Sequence, residues 1–434
     1  MSRRKRIEFF CLLILATVGG RRFIFKIMKN DNNKHLDVVF RELVSEIPST
    51  TCGTFALYNY PAKFIPQVIA FALKTYGKPG MSVIDPFAGY GTVGTTARLY
   101  GFNYELWDLN PLLNHIHPIT FMAPPSIDPK GLIEKLKECS ISFEPDWKNI
   151  RYWHDDMFLN MLKLNWGYYH SIKDEEEKKF LLLPLIKATR YYSYNDEKRQ
   201  KLSRSPTIIK RVRKLKSQDW RAKFYTRISN ELIEINKRIL EYQKFNPKDV
   251  NYLVRGGIDS LTTKLDVERD FLITSPPYLQ AQEYIRATKM DLFWLGYSQD
   301  KIRELGKLEF PYQKVPKLKI LSKTYIKYLR KINEPHMRDI YEGYFSGVLG
   351  TLTHLQEKIS NKLFFFVGPA TIRTIPIPID KIFIEHFQNL GWQHEITYID
   401  KIVSRNMFFY KENPATGKRD NRMKTEHLVV LKRK

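Results

Sequence analysis

Asp85-Pro86-Phe87-Ala88-Gly89-Tyr90-Gly91-Thr92 lies between a short apolar run and a segment of helical character reaching Tyr100. Met81-Ser82-Val83-Ile84-Asp85 has the pattern of a short buried strand. Paired glycines at a strand-to-helix turn let the chain reverse without a Cβ clash and bring backbone close to a ligand. Gly101 closes the helix, and Asn103-Tyr104-Glu105-Leu106-Trp107 reads as the next strand, ending at Asp108. Upstream, Pro61 to Pro66 opens an apolar helical stretch that Gly77-Lys78-Pro79-Gly80 breaks after Tyr76. The sequence therefore predicts a βαβ unit, the building block of an open parallel sheet.

The turn also constrains the ligand. No Gly-Lys-Ser/Thr follows, so it is not a phosphate-cradling P-loop. The third glycine of a dinucleotide fingerprint is missing, and Asp85 would repel a pyrophosphate. An acid beside the turn suits a cationic or zwitterionic ligand, which S-adenosylmethionine is. Asp108, at the end of the second strand, is spaced to accept hydrogen bonds from ribose hydroxyls. A glycine turn kept only for packing is the competing reading.

The αβ pattern resumes near Val250. Phe271-Leu272-Ile273-Thr274 predicts a strand running into Ser275-Pro276-Pro277-Tyr278. Two adjacent prolines cannot continue a central strand; they fix a rigid extended turn and leave nearby carbonyls as free acceptors. A serine hydroxyl and such a carbonyl can together accept from an NH2 group, and Tyr278 offers a face for stacking. That equipment holds an aromatic amine. Further on, a helix is expected around Tyr341 to Ile359 and a strand over Leu363-Phe364-Phe365-Phe366-Val367. Asp380 is expected to cap a helix ending at Gly391, and Glu395–Ile402 with Leu428–Leu431 to form a hairpin at the sheet edge.

Taken together, these residues resemble the S-adenosylmethionine-dependent DNA amino-methyltransferases, which methylate cytosine N4 or adenine N6. The glycine turn is similar to that family's cofactor motif and Thr274–Tyr278 to its catalytic motif. Pro61-Ala62-Lys63-Phe64 resembles the helix start before the cofactor motif, and Gly257-Ile258-Asp259-Ser260 a segment whose acid lies near the cofactor adenine. The likeness covers residues 55–110 and 250–300 well. It implies a Rossmann-like α/β fold with a mostly parallel sheet and an antiparallel edge hairpin, and S-adenosylmethionine as cofactor. Lys63, Asp85, Phe87, Gly89, Gly91, Thr92, Asp108, Asp259 and Thr274 would hold the cofactor. Ser275, Pro276, Pro277 and Tyr278 would hold a flipped base in double-stranded DNA. Ser at the first catalytic position leans toward cytosine N4; adenine N6 is the alternative, and a relative that binds DNA without catalysis a third. Cytosine-C5 methylation needs a Cys nucleophile, usually after Pro, whereas Cys11, Cys52 and Cys139 follow Phe10, Thr51 and Glu138.

The 434 residues carry 71 Lys or Arg against 46 Asp or Glu, a net charge of +25. A hydrophobic fraction of 43% supplies a core, so the charge belongs to a folded protein with a polyanionic partner rather than to a disordered tail. From Lys187 to Lys244 the chain holds 17 Lys or Arg and 6 Asp or Glu, interleaved with aromatics such as Tyr191, Tyr194 and Trp220. This stretch is the first candidate for DNA contact, through Arg204, Lys210, Arg211, Arg213, Lys214 and Lys216; Lys301 to Lys331 is the second. Its plain alternative is a solvated helical face, since Leu232, Ile235 and Ile239 have helical spacing.

The organisation expected is therefore residues 1–27 as a signal-like or mis-start extension and 28–110 as the first part of a methyltransferase domain. Residues 111–250 form a helical basic insertion, and 251–434 the catalytic half. Arg3-Arg4-Lys5-Arg6 before the apolar run Phe9 to Val18 resembles a secretory leader without a clean cleavage site. Three scattered cysteines fit a reducing cytoplasm and exclude a disulfide framework. His115 and His117 stand two apart without further ligands and are expected to be structural; no metal, and no stable membrane partner, is expected. Lys289, Asp291 and Trp294 are read either as shaping a base pocket or as packing. A restriction endonuclease encoded nearby is the partner such an enzyme implies.

Overall fold

The computed structural model describes residues 34–60, 63–197, 199, 201–279, 283–310, 312–402 and 424–434, together with the paired strands Cys11–Val18 and Arg21–Met28. Pro61, Ala62 and the leader-like Arg3 to Arg6 lie outside the described residues, as do the side chains of the apolar run.

An eight-stranded sheet organises the chain. Its order is His35–Val38, Trp392–Lys401, Thr425–Arg433, Ile359–Val367, Arg269–Thr274, Ser82–Asp85, Asn103–Asp108 and Tyr252–Gly256. The last five of these run parallel to one another. Thr425–Arg433 is antiparallel to both its neighbours, forming the expected hairpin with Trp392–Lys401. Outside that hairpin, His35–Val38 adds a further parallel strand. Four residues with one buried side chain carry too short a pattern to be read as a strand from sequence.

Side chains of the central strands alternate between two cores, as a period of two demands. Val83, Phe271, Ile273, Phe364 and Phe366 face Val68 and Leu73 of the helix Pro66–Tyr76. Ile84, Leu272, Leu363 and Phe365 face Val348 and Leu352 of the helix Pro335–Leu355. Burial on both faces explains why these strands are apolar throughout. The Pro335–Leu355 helix begins earlier than expected because Pro335, at its first position, has φ preset for it. Asp380 lies within the first turn of the helix Ile379–Asn389 instead of capping it, and accepts from His427 Nδ1 at 2.8 Å.

The insertion is helical. Its long helix, Trp220–Gln243, buries Phe224, Ile228, Leu232, Ile235, Ile239 and Tyr242 along one stripe and is capped by Asp219, which accepts from the Ala222 N–H. The helices Asp156–Ser171 and Glu175–Tyr191 share its core, and so does Tyr284–Trp294 from beyond the insertion. Trp166 and Trp294 stack there with centroids 5.8 Å apart. Beside them Arg190 grips Asp291 through two nitrogens, at 2.8 and 2.7 Å, and Tyr58 donates to the same carboxylate at 2.5 Å. Asp291 and Trp294 are thus packing residues that fasten the insertion to the helix Tyr284–Trp294.

Candidate functional site

The direction of sheet building reverses between Ser82–Asp85 and Arg269–Thr274. Strands following the first extend the sheet one way, and those following the second extend it the other. At such a reversal the loops leaving two adjacent strands diverge and open a crevice beyond their carboxyl ends. Here those loops are the glycine turn and the Pro-Pro corner. They adjoin because their strands pair, Val83 with Phe271 and Ile84 with Leu272.

The glycine turn has the backbone that its residues foretell. Gly89 and Gly91 have φ of 54° and 86°, in the left-handed region, and Gly91 caps the helix Thr92–Leu99. A Cβ on Gly91 would fall 2.4 Å from His117 Nδ1, and one on Gly89 would meet Tyr60 at 3.0 Å. His117 is fully buried, holds the Tyr104 hydroxyl at 3.0 Å, and is structural as expected. His115 likewise pairs with the Tyr297 hydroxyl.

Three acids from three segments surround the turn. Asp85 is 2% exposed; its Oδ1 accepts from the Thr274 hydroxyl at 2.6 Å and from the Phe87 N–H at 3.0 Å. Burial outweighs both bonds and pushes its carboxyl up to about 7. Asp108 accepts from the N–H groups of Gly89 at 2.7 Å and Asn110 at 2.8 Å, and burial raises it to about 6. Asp259 accepts from Gln313 Nε2 at 2.7 Å, while the neighbouring Ser260 hydroxyl donates to the Pro86 carbonyl at 2.7 Å. That last bond ties the Gly257–Ser260 segment to the glycine turn.

Of the residues singled out in the sequence, Lys63, Phe87, Gly89, Thr92, Asp108, Asp259, Ser275 and Pro277 line one crevice. Asp85 and Thr274 stand behind its wall, and Pro276 is buried in the corner. Tyr278 is not among the lining residues; its hydroxyl donates to Glu426 at 3.1 Å, and burial holds the phenol well above its ordinary range. Lys63 sets its ammonium 4.6 Å from the Tyr90 ring, and burial lowers it to about 8.

Several lining residues had no signal in the sequence. Tyr60 and Tyr284 stack at 6.0 Å across the crevice, and Phe310 meets Phe87 edge-on at 6.3 Å. Glu309, 8% exposed, accepts from the Ile285 N–H at 2.9 Å and is pushed up to about 7 by burial. Tyr60, Glu309 and Phe310 come from loops without a motif and Tyr284 opens the helix Tyr284–Trp294; the fold alone brings them together. The assembled crevice brings together aromatic faces, carboxylates and a hydroxyl and proline corner. It can hold an aromatic ring, a ribose and a cation together.

The candidate DNA contacts divide. Arg211 donates to the Tyr191 and Ser193 carbonyls at 2.7 and 3.1 Å, and Arg204 lies 4.4 Å from the rings of both Tyr152 and Tyr194. Lys216 pairs with Asp155 at 2.9 Å. Lys210, Arg213 and Lys214 are exposed on the helix Pro206–Lys216, with no acidic partner among the described residues. Among the described residues no cluster of His, Cys, Asp and Glu is arranged to hold a metal, and no helix is long and apolar enough to cross a membrane.

No protein-family model matches the chain. It is 22% identical to the type II methyltransferase M.MvaI of Kocuria varians, over 93% of this chain and 94% of that one. With the type II methyltransferase M.BsoBI of Geobacillus stearothermophilus it shares 25% identity over 324 residues, 66% of this chain. The chain spans 61% of the length of M.BsoBI. The solved rRNA methyltransferase aviRa from Streptomyces viridochromogenes overlaps 91% of this chain and 96% of its own at 11% identity, with a TM-score of 0.28, too loose a fit to bear on this chain. Through the two curated relatives, the chain is a distant homologue of type II methyltransferases.

Proposed function

We propose that this chain is an S-adenosylmethionine-dependent DNA amino-methyltransferase, acting on cytosine N4 as the modifying half of a restriction-modification pair. The observation that carries this reading is the meeting of the glycine turn and the Ser275-Pro276-Pro277 corner on either side of one crevice. Homology to two type II methyltransferases supports the DNA substrate and the restriction context.

The crevice fits the cofactor on three counts. The left-handed glycine turn leaves backbone where a side chain would collide with Tyr60 or His117. Asp108 is fixed by two N–H groups at the end of its strand, with lone pairs left for ribose hydroxyls. Phe87 and Phe310 supply apolar surface, with Asp259 beside them, for a purine. When bound, S-adenosylmethionine supplies an electrophilic methyl group on a sulfonium. Asp85 sets the turn through Phe87 and the corner through Thr274, and a cation bound nearby would favour its ionised form.

At the corner, the Ser275 hydroxyl and the Pro276 carbonyl accept hydrogen bonds from the target amine. Acceptors there favour a tetrahedral nitrogen, whose lone pair is less delocalised into the ring and more nucleophilic. The rigid prolines hold these acceptors fixed, so little reorganisation is left for the reaction. Tyr278 stacks on the flipped base once its ring is free to meet it. Double-stranded DNA is the partner, and a base must leave the stack to reach so enclosed a corner.

Incubating DNA with methyl-labelled cofactor, digesting to nucleosides and resolving them by mass tests the proposal. N4-methylcytosine is expected. N6-methyladenine overturns the base assignment, and DNA binding without any methylated product overturns the enzyme.

A further inference from the structure

Two further cavities lie beside the crevice. The crevice shares Ile285 and Glu309 with a second cavity, which in turn shares Arg286 and Lys289 with a third. The three adjoin in series through these shared residues, a trough lined from Ser275 of the crevice, by the helix Tyr284–Trp294, to Tyr152, Trp153 and Arg204 of the insertion.

Its chemistry is cationic and aromatic. Arg286 and Lys289, one helical turn apart, project from the same helix face. Glu283 already serves two cations, Lys201 at 2.7 Å and Arg286 at 3.1 Å, and Arg303 is held by Asp300 at 3.1 Å. Glu309, the other acid lining the second cavity, also lines the crevice, where Asp108 and Asp259 stand, and it accepts from the Ile285 N–H. Lys289 is half-buried, lines both outer cavities and has no acidic partner among the described residues. Burial and the neighbouring Arg286 together lower its ammonium. Tyr312 and Tyr152, 53% and 54% exposed, line the second and the third cavity. A half-buried cation without an acidic partner among the described residues lacks the anion that would stabilise it. Phosphates supply such anions at regular spacing, and exposed aromatic faces suit bases that have left the stack.

We propose that this trough carries the DNA backbone next to the target base, with Lys289 as the phosphate contact nearest the catalytic corner. This rests on the methyltransferase reading and assigns the grip to the Tyr284–Trp294 helix. None of Lys210, Arg213 and Lys214, the exposed cations of the basic insertion, lines the trough. Catalytic corner and backbone contact are then carried by one continuous segment, so that gripping the strand also places its neighbouring base.

The test measures binding of duplex DNA to the full chain by fluorescence anisotropy across a salt series. Removing one phosphate contact lowers the slope of log affinity against log salt by about 0.9, or about eightfold in affinity near 0.1 M salt. Lys289→Gln and the longer Lys289→Met are each expected to show that loss, with Lys289→Arg restoring it and cofactor affinity unchanged in all three. The triple variant Lys210→Gln, Arg213→Gln, Lys214→Gln is expected to lose less than Lys289→Gln alone. Wild-type affinity and slope in both neutral Lys289 variants overturn the trough, and a methylated product in the same preparation shows that the enzyme reading survives. A wild-type chain that neither methylates nor binds DNA overturns both.

Discussion

The Thr274 hydroxyl donates to Asp85 Oδ1 at 2.6 Å, across 189 residues of sequence. One bond thus joins the last residue before the Ser275-Pro276-Pro277 corner to the first residue of the glycine turn. Both side chains are out of water, so neither finds a substitute partner if the other is removed.

Thr274→Val keeps the shape and deletes the donor. It is expected to destabilise the protein by about 1–3 kcal/mol, to raise Asp85 further and to weaken cofactor binding. Urea unfolding and calorimetric titration with cofactor measure both effects, and Thr274→Ser should restore them. Unchanged cofactor affinity in the valine variant would mean that the bond supports the fold alone.

Asp85 lies near 7 in the folded chain against an ordinary 3.8. Between those values the folded state binds the extra proton, so the stability of the cofactor-free protein should fall as pH rises through about 4 to 7. Glu309, raised from 4.5 to about 7, adds in the same direction. Asp85→Asn should remove its share, on the order of 2–4 kcal/mol across the window, and melt higher than wild type at pH 8. Parallel wild-type and variant curves of melting temperature against pH would refute the shift.

Ser275→Ala removes one acceptor from the proposed amine site while leaving the glycine turn intact. Turnover is expected to drop about tenfold to a hundredfold, the kinetic equivalent of one hydrogen bond to a developing charge, with cofactor affinity held. Single-turnover methyl transfer at saturating cofactor reads the effect directly. Full activity would move the catalytic role away from this hydroxyl.

Arg190→Ala strands Asp291, whose side chain is 1% exposed, without its ion-pair partner. A loss of about 3–5 kcal/mol is expected, and the paired apolar change Arg190→Met with Asp291→Leu should cost much less. Chemical denaturation of the two variants side by side decides this.

Much of the site was legible because two local rules wrote it. Glycines at positive φ and prolines after a buried strand are choices that the backbone forces, so Gly89, Gly91, Pro276 and Pro277 stood out in the chain. The alternating apolar strands were equally plain. Tyr60, Tyr284, Glu309 and Phe310 were not, since each reaches the crevice through tertiary packing that no local pattern encodes. Charge density drew attention to Arg204 and Arg211, but a count of cations does not tell a free guanidinium from one folded back on tyrosine rings and carbonyls. The aromatics interleaved with them were the signal for that folding back.

The helix Tyr284–Trp294 follows the Ser275-Pro276-Pro277 corner in chain order and belongs to the insertion by its packing. A change anywhere in the insertion core therefore has a short mechanical route to Ser275, nine residues before this helix begins. Substitutions there that never touch DNA should alter turnover as well as stability, and an exchanged insertion would have to bring a matching surface for this one helix.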